Sequence, residues 1–155
     1  MPESADYPKI PFPPPLIFVG YLVSALVLQW AVPFPLPWGL PLRSLGGLLV
    51  IGGFLLCASA LTQMRKVHTT PDPHQPTTAV VTTGPYRFTR NPIYLGFLLI
   101  YLGFTLVAGT LWGLLLSPFL VGTVTQWIIH AEEAYLDRKF ESEYRTYRSR
   151  VRRWI

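Results

Sequence analysis

The sequence predicts an all-α integral membrane protein: a helical bundle with four transmembrane helices, followed by a C-terminal amphipathic helix at the membrane interface. Half of the 155 residues are hydrophobic and only 14% are charged, against roughly 25% in an average soluble domain. Three long tracts contain no Asp, Glu, Lys or Arg: residues 10–42, 44–64 and 93–129. These tracts are of membrane length, since one crossing needs roughly 20 apolar residues. The whole chain, residues 1–155, is interpreted as one membrane domain.

Prolines determine where the first predicted span ends. Four of them interrupt the first tract: Pro33, Pro35, Pro37 and Pro41. Proline removes a backbone donor and clashes with the preceding turn inside a helix. The first span is therefore placed at residues 16–32, and the second tract provides a span at residues 44–64.

The third tract is too long for one ordinary crossing, so it predicts a helical hairpin. Its middle reads Ala108-Gly109-Thr110, and glycine is favoured where the chain must turn sharply. Spans at residues 92–107 and 111–129 follow from this turn.

Residues 65–91 form a long polar connection between the second and third spans. Prolines exclude an extended helix there, and a loop of this length without regular structure is usually functional or disordered. The β-branched run at residues 77–83 favours function, because it can lie extended against a ligand. At the end of the loop, Asn91 is a favourable N-cap and Pro92 suits the first helical position. A helix start with unpaired N–H groups is a ready site for a carboxylate or phosphate.

The region after the last span predicts an amphipathic basic helix at residues 131–151. Apolar side chains recur there at steps of three or four: Leu136, Phe140, Tyr144, Tyr147, Val151 and Trp154. Arginines and a lysine fill the other positions. Such a helix either lies on anionic lipid or closes over a site, and both interpretations place it at the membrane interface.

The basic residues predict the orientation, because Lys and Arg accumulate on the cytoplasmic side of a membrane protein. With both termini in the cytoplasm, only Arg43 of the 13 Lys and Arg residues lies on the opposite side. The net charge of +5 is therefore attributed to membrane orientation and attraction to anionic lipid, and nucleic acid is not expected as a partner. The acidic, proline-rich start does not resemble a cleaved signal, so the first span is expected to be retained.

Glu132 and Glu133 stand where the fourth span ends, and the hairpin returns them to the membrane face that carries Arg87 and Arg90. Ionisable residues at such places are candidates for function, while simple pairing with either arginine is the alternative. Arginines, a helix start, tyrosines and a carboxylate pair suit a ligand with charges of both signs. S-adenosylmethionine is such a ligand, with its ammonium on Glu132, its carboxylate on an arginine or the helix start, and its sulfonium on a tyrosine ring.

Metal binding is not predicted. His68, His74 and His130 lack the close spacing of a zinc site. The single cysteine, Cys57, has no partner for an internal disulfide and is interpreted as a packing residue.

Three ordered segments stand out in the C-terminal half: residues 80–96 (Val-Val-Thr-Thr-Gly-Pro-Tyr-Arg-Phe-Thr-Arg-Asn-Pro-Ile-Tyr-Leu-Gly), 132–136 (Glu-Glu-Ala-Tyr-Leu) and 140–147 (Phe-Glu-Ser-Glu-Tyr-Arg-Thr-Tyr). Together they resemble the isoprenylcysteine carboxyl methyltransferase and phospholipid methyltransferase family, in its bacterial form. The combination is specific because the three segments occur in order. The resemblance implies a methyltransferase of the bacterial inner membrane that uses S-adenosylmethionine, with residues 65–91 as its cytoplasmic cofactor loop. It also implies a lipid-like acceptor that enters from the bilayer.

The same resemblance implies which residues contact the cofactor. They are Thr78, Ala79, Val80, Val81, Tyr86, Asn91, Pro92, Ile93, Tyr94 and Glu132. Two of the chain's departures from the family bear on chemistry. Asn91 replaces the commoner histidine, which excludes an imidazole base there, and Ile128 replaces the arginine that holds the substrate carboxylate in eukaryotic carboxyl methyltransferases.

We therefore predict methyl transfer from S-adenosylmethionine to the carboxylate oxygen or amine nitrogen of a small lipid-like acceptor. Arg90 and Glu132 are the predicted catalytic residues, Arg90 orienting a carboxylate and Glu132 holding the ammonium of the donor. Two alternatives stay open: an NADPH-dependent enzyme similar to membrane sterol reductases, and a non-enzymatic lipid-binding membrane protein. The sequence also leaves the oligomeric state open.

Overall fold

The computed structural model describes residues 7–8, 10, 12–36, 39–72 and 75–155. Five α-helices follow one another in these residues: α1 (Pro14–Ala31), α2 (Leu40–Lys66), α3 (Pro92–Ala108), α4 (Leu111–Val124) and α5 (His130–Arg150). A 3-10 turn, Gly84–Arg87, precedes α3, and a π-helical turn, Thr125–Ile129, joins α4 to α5. Apart from one isolated bridge, the described part of the chain contains no β-structure. The prediction of an all-α fold is confirmed.

Three helices are long and apolar enough to cross a membrane: α1, α2 and the helical run from Leu111 to Arg150, which is kinked at Glu141. They make this a membrane-embedded protein. α3 is also apolar but has 17 residues. Four crossings and an interfacial C-terminal helix stay predictions, and the four crossings require α3 to span as well.

The prolines after α1 act differently from one another. α1 ends at Ala31, just before Pro33, whereas Pro41 lies in the first turn of α2. The expectation that Pro41 belongs to the proline-rich interruption after the first span is therefore wrong. The first N–H groups of a helix have no intrahelical partner, so proline costs little there. Pro37 lies outside the described residues.

α2 and α3 pack at very short distance because glycines face each other along their contact. A Cβ added at Gly103 would lie 2.6 Å from the Gly46 carbonyl oxygen, and one at Gly53 would lie 2.6 Å from the Gly96 carbonyl oxygen. Backbone oxygens cannot move aside as a flexible side chain can. The two helices therefore approach as closely as small residues allow, which is the usual basis of tight helix pairing in membranes.

The predicted turn between α3 and α4 is present. Gly109 ends α3 in the left-handed region, with φ of 82°, where glycine carries no steric penalty. The turn is fastened by Tyr101, whose hydroxyl donates to the Gly113 carbonyl at 2.8 Å. α1 closes the other side of this hairpin, with Tyr21 Oη 2.8 Å from Thr123 Oγ1.

The apolar side of α5 is buried against the protein. Tyr144 is 2% exposed and packs in one cluster with Ala60, Val81, Tyr86 and Tyr147. Of the two interpretations left open by the sequence, burial of this face supports a helix that closes over a site. α5 thereby covers the end of the bundle where α2 finishes and α3 begins.

Candidate functional site

A cavity of about 140 Å³ lies at this end of the bundle. The end of α2, residues 69–72, 77 and 79–81 of the following loop, the start of α3 and residues along α5 from Glu132 to Tyr147 contribute to its wall. Apolar side chains form most of the wall, and a few charged groups converge on it. This combination is typical of small-molecule sites.

Most of the predicted site residues line this cavity. They are Ala79, Val80, Val81, Tyr86, Arg90, Asn91, Pro92, Ile93, Tyr94 and Glu132. Thr78 is the exception, because its hydroxyl donates to the His68 carbonyl at 2.9 Å and its N–H donates to Thr69 Oγ1. Thr78 therefore holds the loop together and is not among the residues that line the cavity.

Glu132 presents its carboxylate to the cavity. The Tyr94 hydroxyl donates to Glu132 Oε1 at 2.5 Å, which connects α5 to the first turn of α3. Glu132 lies beyond the charge-free tract that ends at Ile129. Burial raises the pKa of the Glu132 carboxyl to about 7, and the bond from Tyr94 opposes part of this rise. A carboxylate that is costly to ionise without a partner is suited to receive a cation.

Glu133 has a different environment, since two arginines neutralise it. Arg90 Nη1 lies 3.0 Å from its Oε1, and Arg153 Nη2 lies 2.7 Å from its Oε2. The Arg90 and Glu133 side chains are 9% and 8% exposed. Simple pairing, the alternative considered for both glutamates, thus applies to Glu133, while Glu132 is bonded to a tyrosine.

Arg90 retains one unused donor. Its Nη1 contacts Glu133 and also lies 3.4 Å from Tyr144 Oη, but its buried Nε has no hydrogen-bond partner among the described residues. A buried donor left without a partner costs free energy unless a ligand or water satisfies it. Arg90 is therefore an ion-pair partner of Glu133 and can also donate a hydrogen bond to an anionic ligand at the cavity wall.

Asn91 occupies the expected N-cap position of α3, but its side chain makes no capping bond. Its Nδ2 donates instead to the Arg153 carbonyl at 2.9 Å. The expectation that the Asn91 side chain caps α3 is thus wrong, because this side chain is engaged by Arg153, which lies far along the chain. With Pro92 in the first turn, the first N–H groups of α3 lack a side-chain cap and lie beside the cavity.

Tyr86 closes the cavity from the 3-10 turn. Its carbonyl accepts a bond of 2.7 Å from the Tyr147 hydroxyl, which fastens α5 over the turn. Burial, with smaller effects of Tyr147 and Glu132, raises the pKa of Tyr86 well above its usual value. Tyr86 is therefore a neutral phenol at physiological pH. The turn depends on Gly84, whose φ of 60° lies in the left-handed region.

Several cavity residues were not among the predicted catalytic and cofactor-binding residues, although Glu133, Leu136, Tyr144 and Tyr147 were noted in the sequence. They are Pro8, Met64, Thr69, Thr70, Pro71, Asp72, Thr77, Glu133, Tyr135, Leu136, Tyr144 and Tyr147. Tyr144 and Tyr147 carried a usable signal, since they belong to the apolar positions that recur at steps of three or four after the acidic pair. Thr77 belongs to the β-branched run that was expected to lie against a ligand. Thr69 and Thr70 carried no signal, because a polar residue in a loop has no pattern that distinguishes a cavity wall from an exposed surface.

The described residues contain no group of three or more His, Cys, Asp or Glu side chains that could hold a metal ion. His74 lies outside the described residues. Cys57 is buried as a packing residue, with its Sγ 3.6 Å from the Ile93 carbonyl. Ile128 is 0% exposed in the core beside Val124 and Ile129, so this position brings no charge to the cavity.

The fold and the site define a class: an all-helical membrane protein with a charged, aromatic-lined cavity at one end of its bundle. A sequence model described as phospholipid methyltransferase matches residues 42–143, about two thirds of the chain, and includes most of the cavity wall. The chain belongs to the phospholipid methyltransferase family. The predicted family is confirmed, and membership supports a methyltransferase that acts on lipid-like substrates.

A similar protein is found in Haemophilus influenzae, where it is described as an uncharacterized protein. It is 41% identical over 63 residues, which cover 41% of this chain and the whole of the relative. No solved structure matches the chain.

Proposed function

We propose that the protein is an S-adenosylmethionine-dependent integral-membrane methyltransferase. It transfers a methyl group to a carboxylate oxygen or an amine nitrogen of a small lipid-like acceptor. The site lies at the cytoplasmic face of the bacterial inner membrane, with both termini in the cytoplasm. The observation that carries this proposal is the Glu132 carboxylate, which lines the same cavity as Arg90 and the start of α3.

The donor set fits S-adenosylmethionine. Its ammonium needs an anionic partner, which Glu132 provides from a position bonded by Tyr94. Its carboxylate needs donors, and both the partnerless Arg90 Nε and the uncapped start of α3 are available for it. Its adenosine part requires a largely apolar wall, which Val81, Ile93 and their neighbours provide.

Bound S-adenosylmethionine supplies an electrophilic methyl group on a sulfonium. The residues of this chain contribute binding, orientation and exclusion of water. Glu132 holds the cationic end, Tyr94 fixes the direction of the Glu132 carboxylate, and Arg90 orients an anionic group. α5 covers the cavity, so the reacting atoms are aligned in a site with little water. A carboxylate acceptor attacks without losing a proton, whereas an ammonium acceptor must first lose one.

Binding of the cofactor product tests this function directly. We expect S-adenosylhomocysteine to raise the thermal unfolding temperature of the detergent-purified protein and NADPH to leave it unchanged, because a ligand stabilises the folded state it binds. Stabilisation by NADPH alone would favour the reductase alternative. If neither compound has an effect, a non-enzymatic lipid-binding protein becomes the better description.

The acceptor can be found by incubating the protein with methyl-labelled S-adenosylmethionine and a total lipid extract of its source. We expect the label in an amphiphilic lipid, and mass spectrometry then shows whether oxygen or nitrogen carries the methyl group. Label in soluble metabolites or in protein would contradict a lipid-like acceptor.

The affinity for S-adenosylhomocysteine should depend on pH through Glu132. Because its pKa is about 7, the carboxylate loses its charge, and the ammonium its partner, as the pH falls through that value. Tyr94→Phe removes the hydroxyl that holds this pKa down. The pH at which half of the affinity is lost should therefore move upward in the variant. Calorimetric titrations across this pH range measure both midpoints, and equal midpoints would refute the role of Tyr94.

A further inference from the structure

The segment Val151–Ile155, which we call the clasp, follows α5 and folds back over the site. Its backbone carbonyls bind the residues that precede α3. The Arg152 carbonyl accepts from Arg90 N at 3.0 Å. The Arg153 carbonyl accepts from Thr89 Oγ1 at 3.1 Å and from Asn91 Nδ2 at 2.9 Å. Three consecutive residues at the entrance to α3 are therefore held by the clasp.

The side chains of the clasp bind the other half of the site. The Arg153 guanidinium contacts Glu133 through two bonds, from Nε at 3.0 Å and from Nη2 at 2.7 Å. Such two-bond pairs restrict orientation as well as position. Trp154 Nε1 donates to Thr125 Oγ1 at 3.2 Å, at the π-helical turn that leads into α5. Arg153 thus connects the start of α3 to the start of α5.

This connection matters because the two helix starts carry the groups that would hold the donor. Asn91 and Arg90 belong to one start, and Glu132 is the immediate neighbour of Glu133 on the other. Glu133 also joins Arg90 and Arg153 into one ion cluster. A shift of either helix start would change the distance between Arg90 and Glu132. The clasp lies outside residues 42–143, which match the family.

We propose that Arg153 is a positioning residue for the cofactor site, an inference that rests on the function proposed above. It does not touch the donor. Its guanidinium binds Glu133 and its carbonyl binds Asn91, so that Glu132 and Arg90 keep their positions on the cavity wall. Loss of the side chain leaves Glu133 with one cation and removes the two bonds between the clasp and the start of α5.

The test compares Arg153→Ala with Arg152→Ala. The Arg152 side chain is exposed, and only its backbone carbonyl is part of the clasp, so Arg152→Ala removes the same charge next to the critical position. We expect Arg153→Ala to weaken S-adenosylhomocysteine binding at least about tenfold, as misplacement of binding groups does. Arg152→Ala should stay within about twofold. Unchanged affinity in folded Arg153→Ala, or an equal loss in both variants, would overturn the proposal.

Partial rescue separates positioning from general destabilisation. Arg153→Lys keeps the charge but loses the two-bond geometry, so its affinity should lie between those of the wild type and Arg153→Ala. If Arg153→Ala does not fold, Arg153→Lys provides the test. A lower affinity of Arg153→Lys for S-adenosylhomocysteine, without a matching fall in its unfolding temperature, supports the proposal. Wild-type affinity in Arg153→Lys would then contradict it.

Amide hydrogen exchange distinguishes failure of the clasp from failure of the proposed function. In the wild type without ligand, we expect slow exchange at the hydrogen-bonded amides of Arg90 and Asn91, and faster exchange at these two amides in Arg153→Ala than in Arg152→Ala. If the wild type binds no S-adenosylhomocysteine but this difference is present, the cofactor assignment is wrong and the clasp stands as a structural device. If the difference is absent, the clasp itself is refuted.

Discussion

Glu132→Gln is expected to weaken S-adenosylhomocysteine binding strongly while leaving the helical bundle folded. The variant keeps the size of the side chain but loses the charge that faces the ammonium. Truncating one partner of a buried charge pair costs about 2–5 kcal/mol, which corresponds to a loss of affinity from about 30-fold to more than 10³-fold. Calorimetric titration in detergent measures this loss.

The stability of Glu132→Gln should move in the opposite direction from its affinity. The folded-state pKa of Glu132 is raised to about 7. At a pH above the ordinary carboxyl pKa, the negative charge of Glu132 therefore lowers the stability of the folded state. A neutral amide removes this destabilisation, and the unfolding temperature at neutral pH should be unchanged or higher. Glu143→Gln is the matched control, since Glu143 is an exposed carboxylate of the same helix. Retained affinity in Glu132→Gln would reject Glu132 as the ammonium partner.

Gly53→Ala is expected to destabilise the close packing of α2 against α3. Its Cβ would lie 2.6 Å from the Gly96 carbonyl oxygen and 2.6 Å from Ile100 Cγ1. The helices would have to separate, and overpacking of this kind costs typically about 1–3 kcal/mol, sometimes more. Thermal unfolding followed by circular dichroism in detergent should show a clearly lower transition temperature.

The neighbouring glycine is the control for this substitution. A Cβ at Gly52 would have nothing within 4 Å, and alanine is the better helix former by roughly 0.5–1 kcal/mol. Gly52→Ala should therefore be neutral or slightly stabilising. Equal destabilisation by both substitutions would show that the close contact of α2 and α3 does not hold the bundle together.

The helices were the most predictable part of this protein, because they depend on local properties of the chain. The apolar tracts indicate where helices run, and Gly109 indicates where α3 must turn into α4. Pro92 follows the same logic, since its fixed φ and missing N–H suit a first helical turn. Pro41 was misassigned because proline breaks a helix or begins one, and local sequence does not distinguish these cases.

The cavity was predictable in part. Tyr86, Tyr94 and Glu132 were named from the sequence, because they lie in ordered motifs at one end of the predicted helices, and all three line the cavity. Thr78 was predicted to contact the cofactor but is not among the residues that line the cavity, and it bonds His68 and Thr69. The path of an irregular loop depends on such hydrogen bonds, and the hydrophobic periodicity of the sequence does not predict them.

By itself the sequence determined the class of fold, the family and the end of the bundle where charged groups gather. Hydropathy, turn residues and motif order carry that information along the chain. Only the tertiary structure decided that Glu132 meets Tyr94 while Glu133 meets Arg90 and Arg153. A π-helical turn precedes the two glutamates, and an extra residue in a turn rotates everything after it by about 100°. The direction of each carboxylate, and the return of Arg153 to Asn91 across 62 positions of the chain, follow from packing between distant segments.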